Sequence, residues 1–162
     1  MNIDGKPYRT IWLADDGWSV EVIAQTRLPH EFTVARLRTS DDAARAIKTM
    51  QVRGAPLIGA AAAYGLALAM RQGADDAALD AAVGMLAAQR PTAVNLRWAL
   101  DEVRKAIEPL APSARADAAY AKAAAICDDD VETCRRIGTH GLALIEKIAA
   151  EKAENEVHIL TH

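Results

Sequence analysis

The hydrophobic rhythm of the chain changes once, near residue 38. Before that point apolar residues alternate with polar ones. Trp18, Val20 and Val22 share one face of a strand predicted over 18–23, and 9–13 reads as its neighbour. Asp15-Asp16-Gly17 between them predicts a tight turn, with glycine where positive φ is useful. Residues 32–37 predict a third strand, and 25–29 its connection. Beyond residue 38 the spacing becomes helical. Ala43, Ala46, Ile47 and Met50 line one face of a helix that Thr39 or Ser40 can cap, with Asp41 and Asp42 at its positive end. A second helix is predicted from Pro56 to about Arg71, stopping near Gly73. A third covers about 75–89. A fourth covers about 93–107, with Leu96, Leu100, Val103 and Ile107 at four-three-four spacing before Pro109 and Pro112 break the chain.

The last helical region is predicted over about 113–150. Asp128-Asp129-Asp130 reads as a solvated face, because no stop signal precedes it. Gly138 and Gly141 each cost a helix interior about 1 kcal/mol relative to alanine, which predicts close packing or a helix end there. Residues 151–156 read as a polar connection, and 157–160 as a final strand that needs partners for its backbone groups. The chain therefore reads as mainly α with a small N-terminal antiparallel β region at 1–38, a helical domain at 39–150, and a linker plus first strand at 151–162. No internal repeat or low-complexity linker interrupts it.

Candidate chemistry gathers at two helix starts. In Val52-Arg53-Gly54-Ala55-Pro56 a cation, two small residues and a proline directly precede the long uncharged second helix. Gly54 lets a ligand approach the backbone, Pro56 suits a position where no N–H is needed, and the first-turn N–H groups and the helix dipole favour an anion beside Arg53. Arg90-Pro91-Thr92 repeats the arrangement one helix later: Arg90 closes one helix, and Thr92 can cap the next. The plainer reading makes Arg53 a solvated cation and Arg90 a cation satisfying a helix C-terminus. Two such sites in consecutive loops point instead to one shared phosphate or carboxylate.

Composition narrows the classes. The chain has 162 residues, a net charge of -3 and 4% aromatic residues. Charges of both signs are interspersed, which argues against nucleic acid as main partner. The uncharged run from Ala55 to Met70 is too short and too rich in alanine and glycine to span a bilayer, so it predicts a buried core helix. The N-terminus carries no signal pattern, and a cytoplasmic location is expected. Cys127 and Cys134, on one helix, would stand about 10 Å apart, beyond disulfide reach, and lack metal-site spacing. Buried or half-buried free thiols are expected.

The two helix-start motifs, together with Arg136-Ile137-Gly138-Thr139-His140-Gly141, Gln25-Thr26-Arg27-Leu28-Pro29 and Ile159-Leu160-Thr161-His162, resemble in order the N-terminal half of the methylthioribose-1-phosphate isomerase family. Relatives of that family include ribose-1,5-bisphosphate isomerases and regulatory initiation-factor-2B subunits. The block from Arg90 to Leu96 favours the isomerase among them. The resemblance implies a helical N-terminal domain of a two-domain α/β enzyme. It implies an aldose–ketose isomerase, an intramolecular oxidoreductase of methionine salvage, that needs no metal or cofactor and forms homodimers. Arg53, Gly54, Ala55 and Arg90 would bind substrate. The catalytic cysteine and aspartate would follow the final strand, beyond His162, in a nucleotide-fold-like C-terminal domain. On that basis the chain is expected to be an N-terminal fragment, inactive by itself, with exposed apolar surface where the second domain docks. The alternatives are a ribose-1,5-bisphosphate isomerase-like enzyme, which differs in substrate only, and a non-catalytic regulatory or sugar-phosphate-binding module. Asn95, Tyr64 and His140 are weaker candidates, more simply read as a helix amide, a core ring and a structural histidine. His158 and His162 would flank the catalytic turn. Ala24 departs from the family, which usually has aspartate before that glutamine.

Overall fold

A computed structural model describes residues 2–3, 5–152 and 156–160. By packing, the chain separates into two units, Met1–Cys127 and Asp128–His162.

The first unit opens with a hairpin the sequence pattern did not predict, β1 (Asn2–Ile3) with β2 (Lys6–Pro7). Strands of two residues carry no measurable alternation. The predicted three-stranded region follows as β3 (Ile11–Leu13), β4 (Val20–Ile23) and β5 (Val34–Leu37), antiparallel in that order. The register puts Ile11 opposite Val22 and Val20 opposite Leu37, and all four are buried. On the other face Glu21 accepts from Trp12 Nε1 at 2.8 Å and pairs with Arg36. Ala24 is buried at 3% exposure, so a methyl sits where a carboxylate would need partners.

Asp16 builds the β3–β4 turn. Its carboxylate accepts from the Trp18 N–H at 3.0 Å, the Ser19 N–H at 2.8 Å and the Ser19 hydroxyl at 2.6 Å, while Gly17 takes φ +76°. The Ser19 hydroxyl bond first, and the Trp18 N–H second, hold this carboxyl down at about 2 against an ordinary 3.8. A depressed acid stabilises the fold above its ordinary value and loses that contribution as pH falls through the folded value. The Trp18 and Ser19 amides should therefore lose hydrogen-exchange protection as pH falls from 3.8 towards about 2. In Asp16→Asn that acid step should vanish, and its persistence would refute the assignment.

Five helices follow: α1 (Ser40–Lys48), α2 (Ala55–Gln72), α3 (Asp76–Ala87), α4 (Val94–Ile107) and α5 (Pro112–Glu151). Thr39 caps α1 in a reciprocal box with Asp42, and Asp75 caps α3 by accepting from the Ala78 N–H at 2.8 Å. The α2 helix is the core helix. It is buried almost throughout and packs against α1, α3 and α4. Two of its glycines set that geometry. A Cβ at Gly65 would lie 2.9 Å from the Ala43 Cβ on α1 and 3.0 Å from Leu86 on α3. A Cβ at Gly59 would lie 2.9 Å from the Asn95 carbonyl oxygen on α4. The predicted stripe of Leu96, Leu100, Val103 and Ile107 is fully buried.

Two expectations fail. Met50 does not line α1: it lies past the helix end at φ +59° and is 42% exposed. Thr92 does not cap α4, whose N-cap is Ala93 with no side-chain bond. The strand expected over 157–160 needs partners for its backbone groups; among the described residues none pairs with it, and the segment takes no regular element.

In the second unit α5 continues through the exposed Asp128, Asp129 and Asp130 as one helix. Gly138 and Gly141 are neither a helix end nor a packing contact, since an added Cβ would meet nothing within 4 Å. Ile137, Leu142, Leu144 and Ile148 are exposed. Neither cysteine forms a disulfide, and Cys134 is exposed rather than buried, because α5 presents that turn to solvent. Among the described residues no helix is long and apolar enough to cross a membrane.

Candidate functional site

The contact between α2 and α4 creates the site. With no side chain at Gly59, the first turn of α4 lies directly against the first turns of α2. The loop before each helix is thereby carried to the same place. Between them lies a cavity of about 490 Å³, within the ordinary range of small-molecule pockets. Arg53 and Gly54 line it from the α1–α2 connection and Ala55 from the first position of α2; Arg90 and Thr92 line it from the α3–α4 connection and Asn95 from the first turn of α4.

Four features give the cavity its character. Gly54 is the N-cap of α2 at φ +92°, a backbone state that L side chains rarely adopt, and it offers no capping oxygen. Ala93, the N-cap of α4, offers none either. The capped helices α1 and α3 start elsewhere, so the two helices that open on the cavity are ones whose first-turn N–H groups lack a side-chain acceptor. Finally, neither the Arg53 nor the Arg90 guanidinium makes a hydrogen bond or ion pair with a described residue. Most other arginines of the first unit are engaged: Arg36 with Glu21, Arg104 with Asp80 and Glu108, and Arg71 over the Trp18 ring at 4.6 Å. Two cations and two open helix starts facing one hollow attract an anion with several acceptor oxygens.

The structure thus brings Arg53, Gly54, Ala55, Arg90 and Asn95 together. Tyr64 lies outside the cavity; it is buried in the core, 6.3 Å from the Tyr120 ring centre. His140 and His158 are exposed on the second unit, and His162 lies outside the described residues. Sequence reasoning overlooked Met50, Ile58 and Val94, which supply apolar lining. A signal for Val94 existed in principle: a β-branched apolar residue at the first position of a helix, 79% exposed, has no packing reason to be there.

Residues 51–162 match the family model for the initiation factor 2 subunit family. The chain belongs to that family. It is 58% identical over its whole length to the methylthioribose-1-phosphate isomerase of Acidiphilium cryptum, of which it spans 44%. The chain therefore spans less than half the length of such curated relatives. Among solved structures, the 5-methylthioribose 1-phosphate isomerase of Pyrococcus horikoshii is similar at TM-score 0.75 and 39% identity, over 84% of this chain and 40% of that one. The delta subunit of translation initiation factor eIF-2B from A. fulgidus is similar at TM-score 0.71 and 34% identity, over 78% of this chain and 38% of that one. These matches agree with a mainly helical chain carrying a small antiparallel β region.

Gly59 offers a direct check on how the site is assembled. In Gly59→Ala the new methyl would press on a backbone oxygen, which cannot swing away as a side-chain tip can. A loss of about 1–3 kcal/mol in denaturant unfolding is expected. An unchanged midpoint would show that the α2–α4 contact is looser than its geometry implies.

Proposed function

We propose that this chain is the substrate-binding part of a methylthioribose-1-phosphate isomerase, and that the α2–α4 cavity holds the sugar phosphate. The observation that carries this reading is the pair of arginines without partners among the described residues, set where two uncapped helices begin. In the reaction, 5-methylthioribose 1-phosphate becomes 5-methylthioribulose 1-phosphate. A hydrogen moves from C2 to C1, so C2 is oxidised and C1 reduced with no net redox change. The phosphate on C1 blocks simple ring opening to a free aldehyde, so the substrate must be held tightly while the ring opens. Arg53 and Arg90 bind and orient the anion, and the N–H groups at Gly54 and Ala55 add donors that need no reorganisation.

On this reading residues 39–150 form the binding domain, 1–38 the β region beside it, and 151–162 the approach to a C-terminal domain. The acid–base and nucleophilic groups come from that domain, so the chain alone binds without turnover. The working protein is a cytoplasmic homodimer in methionine salvage. Titration calorimetry of this chain with 5-methylthioribose 1-phosphate should show saturable one-to-one binding that weakens as salt screens the guanidinium groups. No heat at millimolar ligand would sink the reading. The similarity to the eIF-2B delta subunit favours a second reading, a regulatory module on the same fold. Absence of isomerase turnover in a longer protein that joins this chain to its C-terminal domain would favour that module.

A further inference from the structure

The groups that offer the α2–α4 cavity its grip on an anion are donors only: two guanidinium groups and the N–H groups of two open helix starts. Thr92 and Asn95 are the uncharged polar side chains in its lining. Thr92 also lines the neighbouring depression beside Trp98, whereas Asn95 does not. Asn95 occupies the second position of α4, two residues after the cap position held by Ala93. Asparagine is a favoured cap and a weak helix former, so it stands where it does least for the helix. Its backbone is fixed, because the Asn95 carbonyl oxygen lies 2.9 Å from where a Cβ on Gly59 of α2 would stand. Its half-buried side chain makes no hydrogen bond with a described residue. An amide able both to donate and to accept is thus held on a rigid helix start and left open to the cavity.

Resting on the sugar-phosphate reading above, we infer that Asn95 binds the C2 hydroxyl of the sugar and makes the site specific for it. Adjacency in the ligand matches adjacency in the chain. C2 is bonded to the carbon that carries the phosphate, and Asn95 lies on the first turn of the helix that the Arg90 loop opens. A hydroxyl both donates and accepts, and an arginine cannot accept. Asn95 Oδ1 accepts from the C2 hydroxyl of the aldose phosphate, and Nδ2 donates to the same oxygen when it is the C2 carbonyl of the ketose product. The amide exchanges no proton or electron with the substrate in either state. It fixes the orientation of C2, the carbon that is oxidised, beside the anchored phosphate. A sugar lacking that hydroxyl leaves the amide desolvated without its partner and binds more weakly.

Calorimetric titration of the full chain with ribose 1-phosphate and with 2-deoxyribose 1-phosphate, which differ only at that hydroxyl, tests this. The wild type should bind ribose 1-phosphate about tenfold more tightly, the scale of one well-made hydrogen bond. In Asn95→Ala that ratio should fall towards unity while affinity for 2-deoxyribose 1-phosphate is kept, because the grip on the anion is untouched. Alanine is the better helix former, so the thermal unfolding midpoint should not drop. An Asn95 that served only the helix would lose stability and leave the ratio alone. Thr92→Val, close in shape, should keep the wild-type ratio. Equal wild-type affinity for the two sugars, a ratio unmoved in Asn95→Ala, or a ratio lost in Thr92→Val instead overturns the assignment and leaves the anion site standing. Failure of the wild type to bind either ligand overturns the sugar-phosphate reading with it.

Discussion

Replacing Arg115 with alanine should cost about 3–4 kcal/mol of folding stability, the scale of several hydrogen bonds from a charged donor lost together. Arg115 lies at the start of α5 and is only 4% exposed. Its Nε donates to the Leu110 carbonyl at 3.1 Å, Nη1 to the Ala74 carbonyl at 3.0 Å and Nη2 to the Glu108 carbonyl at 2.9 Å. Nη2 also lies 2.7 Å from Asp76 Oδ1. One planar fork thus joins the end of α4, the turn into α5 and the segment before α3. The Asp76 side chain is 83% exposed, so that ion pair is screened and worth less than about 1 kcal/mol. The carbonyl bonds carry the effect. Accordingly Asp76→Ala should be mild, and Arg115→Lys should recover only part of the loss, because an ammonium cannot reproduce a fork. Guanidinium unfolding of the three variants ranks them directly. Equal losses in Arg115→Ala and Asp76→Ala would mean the carbonyl bonds contribute little.

Nothing in the sequence flagged Arg115. It sits in an alanine-rich stretch with Asp117 and Lys122, where a charged residue reads as a solvated face. Its acceptors are backbone groups, one of them 41 residues away, and backbone acceptors leave no mark on the residue pattern. The helices, in contrast, were legible because their apolar spacing and their stop signals agree. The α4 stripe, the Thr39 cap and the glycine ending α2 all fell within a residue or two of the observed elements. The β-region was legible for the same reason, except for the β1–β2 hairpin, which is too short to show a period. A glycine inside a helix is an ambiguous sign of tertiary contact. Gly59 and Gly65 do mark close approaches to α4, α1 and α3, whereas Gly138 and Gly141 lie on helix surface with no described neighbour.

Of the cavity's lining, the polar half was legible. A cation followed by small residues and a proline announces an open helix start from local sequence, and two copies in successive loops suggested one ligand. What brings the two loops to one cavity is the α2–α4 contact through Gly59, a tertiary fact. The apolar half escaped notice because Met50 fitted the α1 stripe by spacing. Only its backbone angle and exposure show that the helix has already ended there.

If Arg53 and Arg90 hold one phosphate, removing either should weaken binding of 5-methylthioribose 1-phosphate by about 10- to 100-fold, the scale of a lost charge-assisted hydrogen bond. Single substitutions leave an ambiguity, since any nearby cation raises the local concentration of an anion. The double-mutant cycle removes it. Arginines gripping separate anions, or acting only through long-range charge, should give additive losses. Arginines sharing one phosphate should not: once the first is gone the anion shifts in the cavity, and the second loss falls short of the sum by 0.5 kcal/mol or more, about the lower end of measured coupling between neighbours. Arg97→Ala supplies the control, because Arg97 is exposed on α4 and lines a different depression beside Trp98. It changes net charge by the same amount without facing the Gly54 cavity. Calorimetric Kd values for the wild type, the two single variants, the double variant and Arg97→Ala therefore decide the matter. Additive losses, or an Arg97→Ala effect as large as that of Arg53→Ala, would reduce the paired arginines to a diffuse electrostatic patch and remove the geometric basis for a sugar-phosphate site.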